Sequence, residues 1–460
     1  MKKKIALYMS GNFAQILKFL PEYLKEFEFI SYNQNYKAHK LCFNNRFFSK
    51  SFYLYENFNK KYDKYKYTSI DNKINGFRVL ATDKNHFKRI KSREQEKILN
   101  TMYNVFLEWI KYKKPDYIFI PIIETIDSML LYEICLIKNI TPICYCHARH
   151  LNTSFFSDSY LELLPNFYNK IKANSYQKNK AKSMTKKLKT NIGNLNYNNV
   201  FQNMFESFEN KEQISDLVQT NIFMRFFINV KLKIFDERKN QNLRLWIKFQ
   251  VSIEKILLPI QRLIYSFFEN LYIKPLKNLP NEFDYFPLHF SPESSINTPA
   301  PFYIDQLRVI DKILISRKSN RVLLVKEHPS MYLKRNFSFY NKLLKKPYLR
   351  IVQKRYDSID LIKKAKTVYS VTGTACMESF YIGTKWQMLG KNFLSEYINQ
   401  NKNASPFDFS IDTLKVSGDF VLFSPPRKNN IRKKVLFAKQ NLINMANYFK
   451  FYINNINTKK

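Results

Sequence analysis

The sequence predicts an α/β protein with two parallel-sheet domains separated by a basic helical insert. Short apolar runs alternate with helical spacings over residues 1–165, and the same alternation returns over residues 281–425. Between them, residues 166–280 show no strand alternation and hold 20 Lys and Arg against eight Asp and Glu. Residues 426–460 are predicted to form a basic C-terminal helix. A chain of 460 residues that is 45% hydrophobic can build two or three cores, which excludes a disulfide-held mini-protein and global disorder.

The first domain begins with a predicted strand at Ile5–Met9, followed by helical spacing over Phe13–Phe27. The apolar stretch at the start is too short for a signal peptide. A βαβ unit is predicted from the strand Tyr117–Ile120, the helix Ser128–Lys138 and the strand Thr141–Cys146. Because such a crossover is right-handed, the carboxyl ends of both strands meet at one edge of the sheet.

Within the insert, Leu243–Ile273 places Leu, Ile, Trp and Phe at three- and four-residue spacings with cations between them. The pattern is typical of a helix packed on its own domain, or of a basic amphipathic helix lying on an anionic membrane face. No uncharged apolar run reaches the roughly 18 residues that span a bilayer, so we expect no integral membrane segment.

Five prolines between Pro280 and Pro301 mark the entry to the second domain. The elements predicted after them are a helix at Phe302–Arg317, strands at Arg321–Lys326 and Leu349–Val352, a helix at Ser358–Ala365, a strand at Thr367–Val371, a helix at Thr374–Ile382 and a strand at Trp386–Leu389. This order favours a second parallel sheet covered by helices.

The charge of the chain restricts its partners. The 76 Lys and Arg against 37 Asp and Glu leave a formal net charge of +39, which favours polyanions or anionic lipid. The cations are spread along the sequence without an RRM, KH or helix-turn-helix pattern, so nucleic acid is not expected as a partner. Five cysteines form no CxxC pair, which predicts a reducing, cytoplasmic setting.

The densest chemical signal is Val371-Thr372-Gly373-Thr374-Ala375-Cys376-Met377-Glu378, a strand end followed by small and hydroxyl residues that open a helix. Hydroxyls, a glycine and N–H groups at a helix N-terminus predict an anion site that suits a nucleotide phosphate. An ordinary N-cap at Thr372 or Thr374 is the alternative. Glu378 lies one turn after Thr374, where it either accepts hydrogen bonds from ribose hydroxyls or complements the helix dipole.

Two further clusters lie beside predicted strands of the second domain. In Lys326-Glu327-His328-Pro329, Lys326 and His328 are candidates for phosphate contacts, and Glu327 for orienting the imidazole or for proton transfer. Glu327 and His328 are therefore also candidate catalytic residues. In the segment Phe286–Glu293, His289 is a candidate for acceptor or anion binding and Glu293 for a catalytic base, although its prolines also suit a plain turn.

The first domain offers four candidates of its own. Gly11 follows the first strand and Arg149 follows a later one, and both are candidates for acceptor or anion binding. Glu124 and Asp127 follow the strand Tyr117–Ile120 and are candidate bases. The cysteine and histidines near Arg149 lack a second ligand pair with zinc spacing, so no metal site is predicted.

The Walker A, GxGxxG, HExxH and GxSxG motifs do not occur in the sequence. Their absence argues against P-loop ATPases, NAD-dependent dehydrogenases, zincins and serine hydrolases.

Several motifs of the second domain occur in one order over residues 286–397. Phe286–Glu293 is similar to an FPLH..PE segment, and Tyr303–Gln306 to a DQ helix that follows it. Val325–Pro329 is similar to a VKEHP motif. Asp360–Ile362, followed by Thr372–Ala375 and Glu378, is similar to a T.TGTAG.EA pattern, and Gly383 and Gly390 come after it. In content and order they resemble the bacterial capsular and surface-polysaccharide glycosyltransferases, whose best-known members transfer Kdo from CMP-Kdo. Cys376 departs from the family's usual glycine, Ser379 from alanine and Lys385-Trp386 from Lys-Pro.

The resemblance implies a GT-B architecture, in which two Rossmann-like domains face each other across a cleft, with the donor nucleotide mainly on the second and the acceptor on the first. It implies that His328, flanked by Lys326 and Pro329, contacts the donor phosphate. It also implies that Thr372–Thr374 cap this phosphate and that Glu378 holds the ribose. No metal or cofactor is implied, because the nucleotide-sugar is a substrate.

The implied activity is transfer of a sugar, Kdo or another acidic sugar from a CMP donor, to a lipid-linked or growing surface glycan. The basic surface of the protein predicts a peripheral position on the inner face of the cytoplasmic membrane. Other polysaccharide assembly or export proteins are expected as further partners. The alternatives are a UDP-sugar transferase or nucleotide-sugar epimerase of the same fold, a non-catalytic assembly or export protein, and an RNA-binding protein that uses the charge.

Overall fold

The computed structural model describes most of the two predicted domains and the start of the insert. The described residues are 2–10, 13–43, 45–83, 91–148, 151, 153–191, 260, 278–291, 294–317, 320–328, 331, 335, 337–353, 355–422 and 435–456. The amphipathic stretch Leu243–Ile273 therefore lies outside them, apart from Ile260.

The first domain is built on a six-stranded sheet in the order β3-β2-β1-β4-β5-β6. Its strands are β1 (Lys4–Met9), β2 (Glu28–Asn33), β3 (Phe48–Tyr53), β4 (Tyr117–Ile120), β5 (Thr141–Ala148) and β6 (Thr153–Ser157). All neighbours are parallel except β6, which runs antiparallel to β5. The chain thus winds outward from β1 in both directions, which leaves a crevice between the carboxyl ends of β1 and β4.

Helices cover both faces of this sheet. They are α1 (Ala14–Leu17), α2 (Leu20–Tyr23), α3 (Tyr36–Phe43), α4 (Leu54–Tyr65), α5 (Gly76–Thr82), α6 (Ser92–Lys113) and α7 (Ile126–Ile137). Alternate residues of β1 enter different cores: Ile5 and Leu7 pack on one face, and Ala6 and Tyr8 on the other.

The second domain repeats this winding with five parallel strands in the order β11-β10-β7-β8-β9. Its strands are β7 (Phe283–Pro287), β8 (Val322–Lys326), β9 (Leu349–Val352), β10 (Thr367–Ser370) and β11 (Trp386–Met388). After α8 (Ser175–Asn191), its helices are α9 (Ser294–Asn297), α10 (Gln306–Ser316), α11 (Phe337–Leu344), α12 (Ser358–Lys364), α13 (Thr374–Ile382), α14 (Phe393–Gln400) and α15 (Pro406–Lys415).

The last helix, α16 (Lys439–Ile456), returns to the first domain. Its Phe449 packs on Phe119 of β4 and Phe156 of β6. Conversely α8, at the start of the insert, packs on α13 and α15 of the second domain. Among the described residues, no helix combines the length and apolarity needed to cross a bilayer.

The strands predicted for both parallel sheets are confirmed, and two predicted helices differ from the structure. Phe302–Arg317 begins as a 3-10 turn at Pro301–Tyr303, and its α-helix starts at Gln306 because the Asp305 side chain caps it. Phe13–Phe27 forms two short helices rather than one. Pro21 has no N–H to donate to the carbonyl of Leu17, four residues earlier, so the helical hydrogen-bond ladder is broken there. β5 continues to Ala148, two residues beyond its predicted end, where it pairs with Thr153 of β6.

The carboxyl edges of the two sheets face each other across a cleft, as expected for a GT-B architecture. At the rim, the hydroxyl of Thr298 in the second domain donates to the carbonyl of Ile123 in the first, at 2.8 Å. The rings of Phe77 on α5 and Phe302 stack with centroids 5.3 Å apart, although both side chains are more than half exposed. The protein is therefore an α/β molecule of two Rossmann-like domains in direct contact.

Candidate active site

A cavity of about 260 Å³ lies at the carboxyl edge of the second sheet. It opens where the winding reverses between β7 and β10, the position at which doubly wound sheets bind ligands. Predicted residues from four separate segments meet in its wall: His289, Lys326 to His328, Thr372 to Thr374 and Glu378. Sequence reasoning grouped these residues by motif, and the fold brings them to one cavity.

The helix N-terminus at this cavity has no side-chain cap. Helix α13 begins at Thr374, and its N-cap residue is Gly373, which has no side chain to cap the first N–H groups. The alternative in which Thr372 or Thr374 acts as the N-cap is wrong. The hydroxyl of Thr374 instead favours the ionised form of Glu378, one turn later, and so lowers its pKa. At this end of the helix the N–H of Gly373 donates to the Ser370 hydroxyl at 2.9 Å, and Gly373 and Thr374 line the cavity.

Gly373 is required by the position of His289. A Cβ atom at Gly373 would lie 2.7 Å from Cε1 of His289 and 2.8 Å from Oγ of Ser370. His289 Nε2 accepts a hydrogen bond from the N–H of Val371 at 3.1 Å, so the imidazole supports the loop between β10 and α13. Burial, followed by the nearby charges of Arg335 and His328, lowers the pKa of His289 to about 4, which keeps the ring neutral near pH 7. Its role in acceptor or anion binding stays a prediction.

Glu327 is enclosed by four hydrogen-bond donors. Arg335 donates from Nε at 2.7 Å and from Nη2 at 3.2 Å, Tyr340 donates from its hydroxyl at 3.0 Å, and the backbone N–H of His328 donates at 2.8 Å. The carboxylate is 2% exposed. These four donors hold the carboxylate in place beside the backbone of His328. Its predicted roles, orientation of the imidazole or proton transfer, stay predictions.

His328 and Lys326 flank this carboxylate on the cavity wall. The ring of His328 is half-buried and lies edge-to-face with Phe290, with centroids 5.8 Å apart. Lys326 is buried, and its ammonium donates to the carbonyl of Tyr356 and to the hydroxyl of Ser358 at 2.9 Å. Burial lowers the pKa of Lys326. Two cationic or potentially cationic groups therefore line a cavity that also receives a helix N-terminus.

Glu378 is the second carboxylic acid in the wall of this cavity, beside Glu327. Burial raises its pKa to about 7, the hydrogen bond from Thr374 opposes that rise, and the charge of Asp357 adds to it. A carboxyl group that titrates near neutral pH at the floor of a cavity is suited to bind hydroxyl groups in a pH-dependent way.

A second cavity, of about 210 Å³, lies between the two domains. It shares Thr372, Gly373 and Thr374 with the first cavity, so the α13 N-terminus stands between the two. The first domain contributes His147 from β5 and Tyr160 and Glu162 from the segment after β6. The second domain adds Lys391 and Asn392.

Glu162 and Lys391 were not found by sequence reasoning. Glu162 is exposed and has φ of +58°, a left-handed conformation that non-glycine residues seldom adopt and that often occurs at functional sites. No motif surrounds it, so no sequence signal was available. Lys391 follows Gly390, whose Cβ would lie 2.9 Å from Thr372 Cγ2, so the glycine lets the Lys391 loop pack against Thr372. That glycine was the available signal.

The predicted bases of the first domain lie elsewhere. Asp127 is buried, and its carboxylate accepts hydrogen bonds from the Tyr8 hydroxyl at 2.5 Å and from Gln34 at 3.0 Å. Glu124 is half-buried and does not line either cavity. The other predictions, which are Gly11, Arg149, Glu293 and Pro329, fall outside the described residues. All five cysteines are buried, and within the described ranges no three His, Cys, Asp or Glu side chains form a metal-binding group.

No protein-family model and no curated protein sequence matches the chain. Among solved structures, it is similar to KpsC from Thermosulfurimonas dismutans, a beta Kdo 2,7 transferase, at 10% identity over 74% of this chain and 89% of that chain, with a TM-score of 0.33. It is also similar to the UDP-GlcNAc 2-epimerase from Methanocaldococcus jannaschii, at 12% identity over 98% of this chain and 100% of that chain, with a TM-score of 0.22. The S. aureus MnaA structure with UDP gives 9% identity, 99% and 98% coverage and a TM-score of 0.24. Because the identities and TM-scores are this low, the fold is assigned from the strand order and the cleft of this chain. The similarities say nothing about its activity.

Proposed function

We propose that the protein is a nucleotide-sugar-dependent glycosyltransferase that acts on a surface polysaccharide. The observation that carries the proposal is the pair of adjoining cavities with the α13 N-terminus between them. A nucleotide-sugar has the matching order of parts, a nucleoside, then phosphate, then sugar. Its phosphate is the part that a helix N-terminus stabilises.

The nucleoside belongs in the second-domain cavity. There Glu378 accepts hydrogen bonds from the ribose hydroxyls, which strengthen as its carboxyl group ionises. The phosphate lies over Gly373 and Thr374, with His328 and Lys326 on one side. Lys391 lines the interdomain cavity on the other side of this helix N-terminus; its side chain is 66% exposed, and its ammonium lies 3.6 Å from Oε1 of Glu396.

The sugar and the acceptor belong in the interdomain cavity. An acceptor hydroxyl oxygen forms a bond to the anomeric carbon, and the bond from that carbon to the phosphate oxygen breaks. Glu162 takes the proton of the hydroxyl, because it is the exposed carboxylate that lines this cavity among the described residues. The helix N-terminus and the cationic side chains stabilise the negative charge that develops on the departing nucleotide.

The donor we propose is a CMP-activated acidic sugar such as Kdo, and the acceptor a lipid-linked or growing glycan. The sequence motifs over residues 286–397 support this donor class. The net charge of +39 supports an anionic membrane face and acidic glycan as the surroundings in which the protein works, on the cytoplasmic side. Other polysaccharide assembly or export proteins are proposed as partners on the same grounds.

The test is a thermal-shift series with CMP, UDP and GDP at millimolar concentration. A ligand that binds only the folded protein raises the melting temperature by mass action. We expect CMP to give the largest rise, and we expect His328→Ala and Thr374→Val to abolish it. Thr384→Val, two residues beyond the other end of α13, is the matched control and keeps the rise.

Two outcomes would contradict the proposal. If no nucleotide changes the melting temperature of the wild type, the donor site is refuted, and an assembly or RNA-binding protein is favoured. If UDP alone raises it, and the protein alters a UDP-sugar without any acceptor, the epimerase alternative replaces the transferase.

A further inference from the structure

The turn that carries Glu162 contains an unfavourable backbone conformation. Glu162 has φ of +58°, and its N–H donates to the carbonyl of Ser159 at 3.1 Å. A left-handed conformation at a residue other than glycine persists only where the surrounding structure maintains it. The contacts made by residues 158–162 therefore decide whether Glu162 stays at the interdomain cavity that it lines.

Tyr132 of helix α7 makes two contacts with this turn. Its hydroxyl donates to the carbonyl of Asp158 at 3.2 Å. Its ring meets the ring of Tyr160 edge-to-face, with centroids 5.4 Å apart and an interplanar angle of 82°. Tyr160 lies two residues before Glu162 and lines the same cavity. The position of the Tyr160 ring therefore affects the backbone that leads to Glu162.

Arg78 of helix α5 makes a further contact with Tyr160. The carbon of its guanidinium group lies 5.0 Å from the centroid of the Tyr160 ring, within the range of a cation–π interaction. Nη1 of Arg78 also donates to Oε1 of Glu133 on α7 at 2.7 Å, and the Glu133 side chain is only 6% exposed. Because an unpaired buried carboxylate is costly, this ion pair fixes the guanidinium beside the Tyr160 ring.

Helix α5 is itself held by contacts in both domains. In the first domain, Oδ1 of Asn75 accepts a hydrogen bond from the N–H of Arg78 at 2.9 Å, which caps the start of the helix. Phe77, the residue before Arg78, stacks on Phe302 of the second domain. Arg78 therefore lies between the contact that joins the domains and the turn that carries Glu162.

We propose that Arg78 is a positioning residue for the transfer reaction, which holds Tyr160 in place and thereby keeps Glu162 at the interdomain cavity. The inference rests on the proposed function, in which Glu162 takes the proton of the acceptor hydroxyl. Arg78 itself lines neither of the two cavities, so it acts on the reaction through the turn. A displacement of about 1 Å at a reacting group can lower turnover about a hundredfold.

The experiment measures, on the full chain, turnover as CMP release from CMP-Kdo and the Kd of CMP by calorimetry. The test variant carries Arg78→Met together with Glu133→Gln, because removal of both charges avoids an unpaired buried carboxylate that could unfold the protein. The matched control carries Lys61→Met together with Glu108→Gln, which removes an ion pair between α4 and α6 of the same domain.

We expect turnover of the test variant to fall between about tenfold and a hundredfold, with an unchanged Kd of CMP, and the control to keep the wild-type turnover. A double-mutant cycle separates positioning of Glu162 from a general structural role. When the test changes are added to Glu162→Gln, we expect no further loss of turnover, because no base is left to position. A general structural role would lower turnover in both backgrounds.

Wild-type turnover in the test variant, equal slowing in the control, or a further loss on top of Glu162→Gln would each overturn the proposal. The proposed function is tested separately. If Glu162→Gln keeps its turnover, Glu162 is not the base, and the role of Arg78 falls with it. If Glu162→Gln stops turnover and the test variant is not slowed, the proposed function stands and only the role of Arg78 is refuted.

Discussion

The two domains share one strand order and differ in what occupies the crevice between their first and fourth strands. In the first domain the Tyr8 hydroxyl donates to Asp127 across this crevice, Gln34 donates to the same carboxylate, and Tyr8 stacks on Tyr32. In the second domain the corresponding crevice, between β7 and β10, opens into a cavity of about 260 Å³.

The helices that follow the fourth strand of each domain, α7 after β4 and α13 after β10, differ in the side chains at their N-termini. At the start of α7, the Ser128 hydroxyl accepts hydrogen bonds from the N–H groups of Thr125 at 3.1 Å and Glu124 at 3.2 Å. At the start of α13 the Ser370 hydroxyl likewise accepts from the N–H of Gly373 at 2.9 Å, but the second helical residue is Ala375, where α7 has Asp127. Strand order brings a helix N-terminus to each crevice, and the side chains decide whether a ligand can reach it.

The largest expected effect is on turnover, and it comes from Glu162, which the first domain contributes to the interdomain cavity rather than to its own crevice. We expect Glu162→Gln to lower turnover at least about a hundredfold, because a general base contributes that much, while the Kd of the nucleotide stays unchanged. Turnover is measured as nucleotide release from the donor whose nucleotide gives the largest thermal shift. The control Asp127→Asn weakens the filled crevice, so it lowers the melting temperature and keeps the turnover of the folded protein. If Asp127→Asn lowers turnover and Glu162→Gln does not, the base lies in the crevice of the first domain, and the role of Glu162 is refuted.

The next effect tests whether the second crevice needs its present backbone. Gly373→Ala places a Cβ 2.7 Å from His289 Cε1, so the loop between β10 and α13 must shift. We expect the Kd of the nucleotide, measured by calorimetry, to rise between about tenfold and a hundredfold. Gly76→Ala is the control, because its Cβ would meet no atom within 4 Å. An unchanged Kd in Gly373→Ala would show that the loop between β10 and α13 does not take part in nucleotide binding.

A smaller, pH-dependent effect is expected from Glu378. Its folded pKa of about 7 lies above the ordinary value of 4.5, so the folded protein binds more protons between these values, and stability falls as pH rises through them. The shift corresponds to roughly 3 kcal/mol. We expect Glu378→Gln to melt above the wild type at pH 8, with the gap closing toward pH 5.

Nucleotide affinity is expected to change in the opposite direction. The ionised carboxylate is the form that accepts ribose hydrogen bonds, so affinity of the wild type rises about tenfold from pH 6 to pH 8, and Glu378→Gln loses this dependence. The exposed control Glu56→Gln keeps it. A flat profile in the wild type would contradict the ribose role.

The smallest expected effect concerns the contact that holds the two crevices face to face. Phe302→Ala removes the stack with Phe77 and is expected to raise the KM for acceptor about threefold to tenfold, with an increase in the radius of gyration by X-ray scattering. Ile315→Ala, which truncates another highly exposed apolar side chain, is the control. A higher Kd for the nucleotide alone would show that the second crevice depends on closure.

Sequence patterns were sufficient to predict an element where residues adjacent in the chain determine its structure. Helix α13 begins and ends at the predicted Thr374 and Ile382, since a strand end, a glycine and a small-residue helix start are adjacent in the chain. That the predicted residues of the second domain meet in one cavity could be expected for the same reason, since most of them lie at or just after the carboxyl end of a strand.

Patterns were insufficient where distant segments decide it. The surroundings of Glu327 depend on Arg335 and Tyr340, eight and 13 residues later, which donate to its carboxylate and which no local pattern around Glu327 indicates. Asp127 stands at the correct edge, and its contacts with Tyr8 and Gln34 depend on the pairing of β1 with β2 and β4. Glu162 enters the cleft through a left-handed backbone conformation that carries no composition signal.

The return of α16 to the first domain makes the second domain an insertion in topological terms. The outgoing segment passes through β6, and the returning segment pairs with it, since Ser154 and Gly418 exchange backbone hydrogen bonds at 2.9 and 2.8 Å. The described parts of the two chain connections between the domains thus lie side by side at this bridge. We expect any opening of the cleft to pivot there, because residues close to both connections move least relative to each domain.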